Sequence, residues 1–224
     1  MIEPIQVGKA NLITVEDLKA FHARIQSFIK QRLSEFRETF QQGDEAIFEE
    51  LVFCILAGGA SAMMGLKGVE AVKDILMTGT VDELSERLKS VHIYPQARAQ
   101  YIVDTRNYLM SAFGFQLRRT LMSFSDAQHR RDFIAGNKRI RGVGYKVASH
   151  FLRNIGFAGY AILDKHILRS LHAFAVINSP KPPSSRRKYL EIEARMKAFA
   201  VKVNISIDEL DFVLWASRTG VILK

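Results

Sequence analysis

The sequence predicts an all-α protein built from two helical lobes. Apolar residues recur three and four positions apart along most of the chain, which places them on one face of a helix. The first such stripe comprises Leu18, Phe21, Ile25, Phe28, Phe36 and Phe40. We find no convincing alternation of polar and apolar residues, the pattern typical of strands. Within a single unit of 224 residues, we expect a middle lobe at about 55–135 and a second lobe from about 1–54 and 136–224.

Local signals mark where the helices begin and end. Residues that favour helix N-termini precede the apolar runs: Thr14 with Asp17, Thr80 with Glu83, Pro95, Ser125 with Gln128, and Ser206 with Glu209. The run "IFEELVFCILAGG" is apolar on most faces, so it predicts a buried helix that ends near Gly58 and Gly59. The segment "NSPKPPSSRRK", residues 178–188, is typical of a linker because proline and serine cluster there.

Composition restricts the classes of function. Lysine and arginine number 32 against 23 aspartate and glutamate residues, a net charge of +9, which favours polyanionic partners such as nucleic acids. No run is long and apolar enough to span a membrane, and we see no secretory signal. A single cysteine, Cys54, cannot form an internal disulfide or a cysteine-ligated metal site, and we expect it in the core. A cytoplasmic location is expected.

A glycine turn between two helical patterns is the strongest local feature. Gly142 and Gly144 lie in "RIRGVGYKVASHFLRNIG", and glycine permits backbone angles that other residues resist. The helix that follows such a turn has unpaired N–H groups at its positive end. Backbone amides of Gly144, Tyr145 and Lys146 are therefore candidates to bind a DNA phosphate. From these residues alone, an ordinary tight turn between helices is an equal alternative.

Three neighbouring blocks resemble a known family. The chain carries "GVGYK", "ASHFLRN" and "DKHILR", the pattern of the helix-hairpin-helix DNA glycosylases. It is most similar to the second, mainly prokaryotic, group of 8-oxoguanine DNA glycosylase/AP lyases, over about residues 48–224. The resemblance implies a hairpin motif at about 130–156, at a DNA-binding cleft. It also implies a monomeric repair enzyme of the prokaryotic cytoplasm and nucleoid that acts on double-stranded DNA containing oxidised guanine.

The resemblance assigns the catalytic pair to Lys146 and Asp164, and the chemistry of base excision agrees. Cutting a base from its sugar develops positive charge on the sugar ring, which a fixed carboxylate stabilises. A lysine amine that reaches C1′ forms a Schiff base, after which β-elimination cuts the strand. The target nucleotide must first leave the duplex. Asp164 is equally suited to cap a helix, and Lys146 is otherwise an ordinary solvated helix lysine.

Recognition of the damaged base is expected from the C-terminal region. The resemblance places Lys224 at the lesion, where its terminal carboxylate would accept from the N7–H that 8-oxoguanine has and guanine lacks. Trp215 would pack against the flipped base, although its helical spacing from Phe212 favours a core position. Arg98 is expected to contact either the estranged base or a phosphate. A chain end such as Lys224 is otherwise prone to fray.

Two segments depart from the family pattern. Ala57, Gly58 and Gly59 stand where the family has polar residues, in the region that fills the hole left by the flipped base. Pro95 and Gln96 stand where the family tends to Tyr-Asn. These departures leave the opposite-base preference open.

Two related classes of enzyme are disfavoured, and two other classes remain as alternatives. The single cysteine argues against a glycosylase of the endonuclease III type, which needs four, and Lys146 argues against an alkylation-type glycosylase, which lacks that lysine. A non-catalytic hairpin module would need the glycines but neither Lys146 nor Asp164. A glycosylase for a different damaged base also remains open. No organic cofactor and no side-chain metal site are expected, although the resemblance allows a monovalent cation on hairpin carbonyls.

Overall fold

The computed structural model describes residues 3–224, and its architecture is all-α, as predicted. The helices are α1 (Val15–Gln41), α2 (Asp44–Ala57), α3 (Ala62–Val72), α4 (Val81–Leu88), α5 (Pro95–Phe113), α6 (Leu117–Met122), α7 (Ala127–Ala135), α8 (Tyr145–Asn154), α9 (Lys165–Ala173), α10 (Arg186–Val203) and α11 (Ile207–Thr219). A 3-10 turn spans Lys73–Ile75, and two short strands are β1 (Ile5–Gln6) and β2 (Val221–Ile222). Of the helices described, none is long and apolar enough to cross a membrane.

The helices group into two compact units. One unit is Phe36–Gly156, and the other combines residues 3–35 with Phe157–Lys224. These boundaries differ from those expected near residues 55 and 135. The reason is that α8 packs against both α7 and α2, so the hairpin groups with the middle of the chain. The two ends of the chain share a unit, and the boundary after residue 35 falls within α1.

The Phe36–Gly156 unit is built around α2. This helix is buried on most faces, including Cys54, and it packs against α3, α5, α6 and α8. Polar bonds fix its position as well. Asn154 Nδ2 donates to the buried carboxylate of Glu50 at 2.7 Å, and His92 Nε2 donates to the carbonyl of Leu56 at 2.8 Å. The start of α5 and the end of α8 are therefore both tied to α2, because a buried polar group must find a partner.

The second unit packs α9, α10 and α11 around the segment that precedes α9. The hydroxyl of Tyr189 in α10 donates to the carbonyl of Ala161 at 2.6 Å. Carboxylates of Glu193 and Asp211 accept from the amides of Ala161 and Ile162 at 3.2 and 3.3 Å. Side chains from two helices thus replace the regular backbone partners that this non-helical segment lacks.

Most predicted helix starts are confirmed, and one is wrong. Thr80 and Glu83 form a complete capping box, and Ser206 caps α11. Ser125 does not cap α7. Its neighbour Asp126 does, because its carboxylate accepts from the amides of Gln128 and His129 together.

The two strands were missed by the sequence prediction. They pair antiparallel, with Ile5 opposite Ile222 and Gln6 opposite Val221. The Pro- and Ser-rich segment is less of a linker than expected. It connects α9 to α10 within one unit, and α10 begins inside it, after the cap of Ser185.

Candidate active site

The hairpin consists of α7, α8 and the loop of residues 136–144. Buried side chains of Ile140 and Val143 anchor this loop. Gly142 has φ 74°, a left-handed conformation, and an added Cβ would lie 2.6 Å from Cδ2 of Tyr101. Glycine is therefore required at this position both by conformation and by the close approach of the tyrosine ring.

The first turn of α8 begins without a capping side chain. Gly144 is the N-cap residue and makes no side-chain cap, and an added Cβ there would meet no atom within 4 Å. Such a helix start presents its first amides and its positive dipole end to an approaching anion. The predicted phosphate-binding residues Gly144, Tyr145 and Lys146 all lie at this helix start.

Lys146 is the second residue of α8 and is partly exposed. Its neighbours are fixed on both sides. The hydroxyl of Tyr145 donates to Asp132 of α7, and the ring of Tyr145 lies 5.5 Å from the guanidinium carbon of Arg131. After the lysine, Val147 lies 3.5 Å from the position that a Cβ on Gly58 would take. The glycine turn after α2 therefore lies against the turn that carries Lys146.

Arg98 joins the two glycine turns of this unit. Its Nη2 donates to the carbonyl of Gly58, and its Nη1 is 3.3 Å from the position of a Cβ on Gly142. The guanidinium lies 5.6 Å from the ring centroid of Tyr101. Burial lowers the pKa of Arg98 from its ordinary value, and Tyr101 and Tyr94 partly offset that effect. These contacts are internal to the unit, so the predicted contact of Arg98 with a base or phosphate stays a prediction.

Asp164 caps α9 in the second unit. Its Oδ1 accepts from the amides of His166 and Ile167, both at 2.8 Å. Both bonds end on one oxygen, so the cap leaves Oδ2 outside it. The side chain is partly exposed. Asp164 is therefore a helix cap, and only one of its two carboxylate oxygens takes part in the cap.

His166 is a neighbour of Asp164 to which the sequence prediction gave no role. Its ring meets that of Trp215 edge-on, with centroids 6.4 Å apart and an interplanar angle of 79°. Burial lowers the pKa of His166, and the nearby Asp164 opposes that shift. Trp215 is partly exposed, whereas Phe212 on the same helix is buried. The spacing Asp-x-His at a helix start was the available signal, because it places the histidine in the first turn.

The C-terminal tail is held in place by the N-terminal segment. Ile222 and Leu223 are buried, and Lys224 follows them with partial exposure. The carbonyl of Gly220 accepts from the amides of Val7 and Gly8 at 2.9 and 3.0 Å. The tail is thus packed against its unit, as the run of apolar residues predicted. The sequence prediction missed β1, the strand that pairs with the tail.

The predicted site residues fall into two groups. The Phe36–Gly156 unit contains Arg98, Gly142, Gly144, Tyr145 and Lys146, and the other unit contains Asp164, Trp215 and Lys224. Within residues 3–224, no three His, Cys, Asp or Glu side chains cluster as metal ligands would. A cation at the hairpin would rest on backbone carbonyls alone, and it stays a prediction.

The sequence matches a known family model over most of its length. Residues 29–205 match the model described as 8-oxoguanine DNA glycosylase. The 8-oxoguanine DNA glycosylase/AP lyase of Methanocaldococcus jannaschii is 37% identical over 211 residues, which cover 94% of this chain and 97% of the relative. The protein of the same name from Korarchaeum cryptofilum is 37% identical over 90% of this chain and 93% of its own length.

Solved structures agree with these matches. The M. jannaschii glycosylase/lyase in complex with a 15mer DNA containing 8-oxoguanine has a TM-score of 0.85 and 35% identity, covering 94% of this chain and 99% of that one. The 8-oxoguanine DNA glycosylase of Thermotoga maritima has a TM-score of 0.83 and 30% identity, covering 94% and 98%. By sequence and by structure, this chain belongs to the 8-oxoguanine DNA glycosylase/AP lyase family of helix-hairpin-helix proteins.

Proposed function

We propose that this protein is a bifunctional repair enzyme that removes 8-oxoguanine from double-stranded DNA and cleaves the abasic site that results. One observation carries the proposal. Lys146 lies in the first turn of a helix that follows a glycine hairpin and lacks a capping side chain, in a chain that matches the glycosylase family. That arrangement suits a protein that binds a DNA backbone and presents an amine beside it. The net charge of +9 fits a DNA partner, and the enzyme acts on nucleoid DNA in the cytoplasm.

Lys146 acts as the nucleophile. Once the damaged nucleotide has left the duplex, the lysine amine attacks C1′ while the bond from C1′ to the base breaks. The base leaves with the bonding electrons and takes up a proton. One proton leaves the amine nitrogen as the C1′–O4′ bond breaks and O4′ takes up a proton, which gives the open-chain protonated Schiff base. Loss of a C2′ proton then expels the 3′ phosphate, and the strand is cut.

Asp164 stabilises the positive charge that the sugar ring develops during this attack. Its Oδ1 is fixed by two backbone amides at 2.8 Å, so the carboxylate keeps one orientation. Oδ2 lies outside the cap and is the oxygen that acts on the sugar. The cap and the catalytic role therefore belong to different atoms of one side chain.

Base recognition belongs to Lys224 and Trp215. The partly exposed ring of Trp215 offers a flat apolar face on which a flipped base can stack. A main-chain oxygen of Lys224 accepts from the N7–H of 8-oxoguanine. Ordinary guanine presents an acceptor at N7 and leaves that oxygen unpaired, at a cost of about 1–3 kcal/mol.

Borohydride trapping tests the proposal. The native protein should form a covalent adduct with a duplex that contains 8-oxoguanine, and Lys146→Gln should form none while still binding the duplex. Lys67→Gln is the matched control, because Lys67 is an exposed lysine of α3 in the same unit. If Lys146→Gln is trapped as well as the native protein, the nucleophile is another residue. If the native protein binds the duplex but neither excises nor traps, the protein is a binding module.

A further inference from the structure

Three tyrosines of the Phe36–Gly156 unit lie in a row along α5. Tyr94 is its N-cap, and Tyr101 and Tyr108 follow at intervals of seven residues, nearly two helical turns each. We call these residues the tyrosine row. An arginine side chain lies over each ring, as the distance from its guanidinium carbon to the ring centroid shows. The distances are 6.0 Å for Arg98 over Tyr94, 5.4 Å for Arg141 over Tyr101 and 5.1 Å for Arg139 over Tyr108.

The hairpin loop is bonded to the same face of α5. Asn137 Nδ2 donates to the hydroxyl of Tyr108 at 2.8 Å. The amide of Arg141 donates to the hydroxyl of Thr105 at 3.0 Å, and Thr105 is fully buried. Gly142 then passes directly over the ring of Tyr101. The backbone that carries Arg139 and Arg141 is therefore fixed at three points.

Arg139 and Arg141 are exposed, and within residues 3–224 no carboxylate neutralises them. Neither forms an ion pair in the described part of the chain, whereas Arg32 and Arg87 bind Glu35 and Asp74 at 2.7 and 2.8 Å. Ile140 between them is buried. The loop thus places two positive side chains on the protein surface, each with its guanidinium group over a tyrosine ring.

A stacked guanidinium is suited to bind phosphate. Stacking uses the face of the group and leaves its N–H donors available in the plane, where they match two phosphate oxygens. A long side chain that is already ordered also loses less rotamer entropy when it binds. Base edges are a poorer fit, because these arginines belong to the loop that leads into the phosphate-binding turn of the hairpin.

We propose that Arg139 and Arg141 form a second phosphate-binding site, held in place by the tyrosine row and separate from the amides of the hairpin. This inference rests on the proposed function in that it takes double-stranded DNA as the partner. It adds a sequence-independent contact that contributes to affinity but not to the choice of damaged base.

The salt dependence of DNA binding tests the site. The probes are a duplex with a tetrahydrofuran abasic analogue, which the lyase step cannot cleave, and the same duplex undamaged. The slope of log K against log salt concentration is negative, and each lost phosphate contact should make it less steep by about 0.9. Arg139→Gln and Arg141→Gln should each do so on both duplexes. Lys67→Gln should leave the slope unchanged.

Conservative variants separate the contact from a folding defect. Arg139→Lys keeps the charge, so it should keep the native slope. Tyr108→Leu removes the ring but not the charge, and it should weaken binding by about threefold to tenfold through the disorder of Arg139. Tyr108→Phe keeps the ring and should bind more tightly than Tyr108→Leu.

Several outcomes overturn the inference. The site does not exist if native slopes persist in both glutamine variants while the native protein excises 8-oxoguanine. A loss confined to the lesion duplex would instead make the two arginines readers of the damaged site. Failure of the native protein to excise 8-oxoguanine would reject the proposed function, whatever the slopes show.

Discussion

The helix that carries Lys146 and the helix that follows Asp164 begin in opposite ways. At the start of α8 the cap residue is Gly144, which has no side chain to offer. At the start of α9 the cap residue is Asp164, whose carboxylate accepts from two amides. Both starts have the positive end of a helix dipole, but only α9 has a negative charge placed on it.

The start of α8 has no capping side chain, and we call it the open start. The start of α9 has one, and we call it the closed start. The open start of α8 is stabilised by its surroundings instead, through the bond of Tyr145 to Asp132 and the contact of Val147 with the turn at Gly58. The closed start of α9 stabilises itself and fixes a carboxylate. An anionic substrate is therefore expected to bind at α8, and the carboxylate at the start of α9 is expected to act on positive charge.

Replacement of the carboxylate at α9 should have the largest effect. Asp164→Asn should slow base release by about two orders of magnitude or more, the scale of losing one aimed electrostatic group. Asparagine caps helices about as well as aspartate, so the melting temperature and DNA affinity should change little. Single-turnover excision of 8-oxoguanine and thermal melting measure the two effects. A large fall in melting temperature with a matching loss of affinity would make Asp164 a structural cap only.

The turn before α8 should be the most sensitive to added atoms. Gly142→Ala forces alanine into φ 74° and places a Cβ 2.6 Å from the Tyr101 ring. The left-handed conformation alone costs about 1–2 kcal/mol, and the contact with the ring adds to it. Urea unfolding should therefore give a loss of about 2 kcal/mol or more. Gly144→Ala is the control, because its φ is −97° and the space is open. Equal losses in both variants would reject this account of the turn.

Converting the open start into a closed one should weaken DNA binding. Gly144→Asp places a carboxylate where α9 has Asp164, and the extended backbone of Gly144 and the space beside it both accept that side chain. The new cap should keep the fold as stable as the native one or slightly more so. It should also repel phosphate and occupy the first amides, with a loss of DNA affinity of about tenfold. Gly144→Asn has the same shape without the charge and should lose less. Native affinity in Gly144→Asp would show that phosphate binds elsewhere.

Local features of this fold could be predicted from the sequence, and long-range pairings could not. The two residues of the Thr80–Glu83 capping box lie within one helical turn, so their spacing in the sequence is enough to predict the box. At α7 two adjacent residues compete, and the carboxylate of Asp126 prevails over Ser125 because it accepts two amides at once. The two strands pair segments near opposite ends of the chain. Each is two residues long, which is too short for a periodic sequence pattern to predict it.

The same distinction applies to the candidate site. The glycines, Lys146 and Asp164 stand in contiguous motifs, so their identity was available from the sequence. The contacts of Arg98 could not be predicted from the sequence. Its carbonyl partner Gly58 lies in a separate turn, and no local sequence pattern links the two residues. The tyrosine row has a visible spacing of seven, but two of the three arginines that lie over it, Arg139 and Arg141, come from a distant loop.

The first turn of α9 also predicts a small pH dependence of stability. Burial lowers the pKa of His166 below its ordinary value of 6.5. The folded protein therefore binds that proton less readily than the unfolded chain does. Stability from this group is complete above the unfolded pKa, and it is lost as the pH falls from about 6.5 toward the folded pKa. The ring is partly exposed, so solvent screening should keep the loss below about 1 kcal/mol.

Comparison of two histidine variants measures this effect. His166→Gln should flatten the fall in unfolding free energy between pH 7 and pH 5, measured by urea titration. His129→Gln is the matched control, since His129 lies in the first turn of α7 beside the cap Asp126 but its side chain is 77% exposed. An aspartate cap is present in both cases, whereas only His166 is partly buried and contacts Trp215. If both variants flatten the pH profile equally, burial of His166 does not contribute to the pH dependence of the unfolding free energy. If only His166→Gln does, the closed start of α9 is stabilised at neutral pH by an uncharged histidine beside the carboxylate that caps the helix.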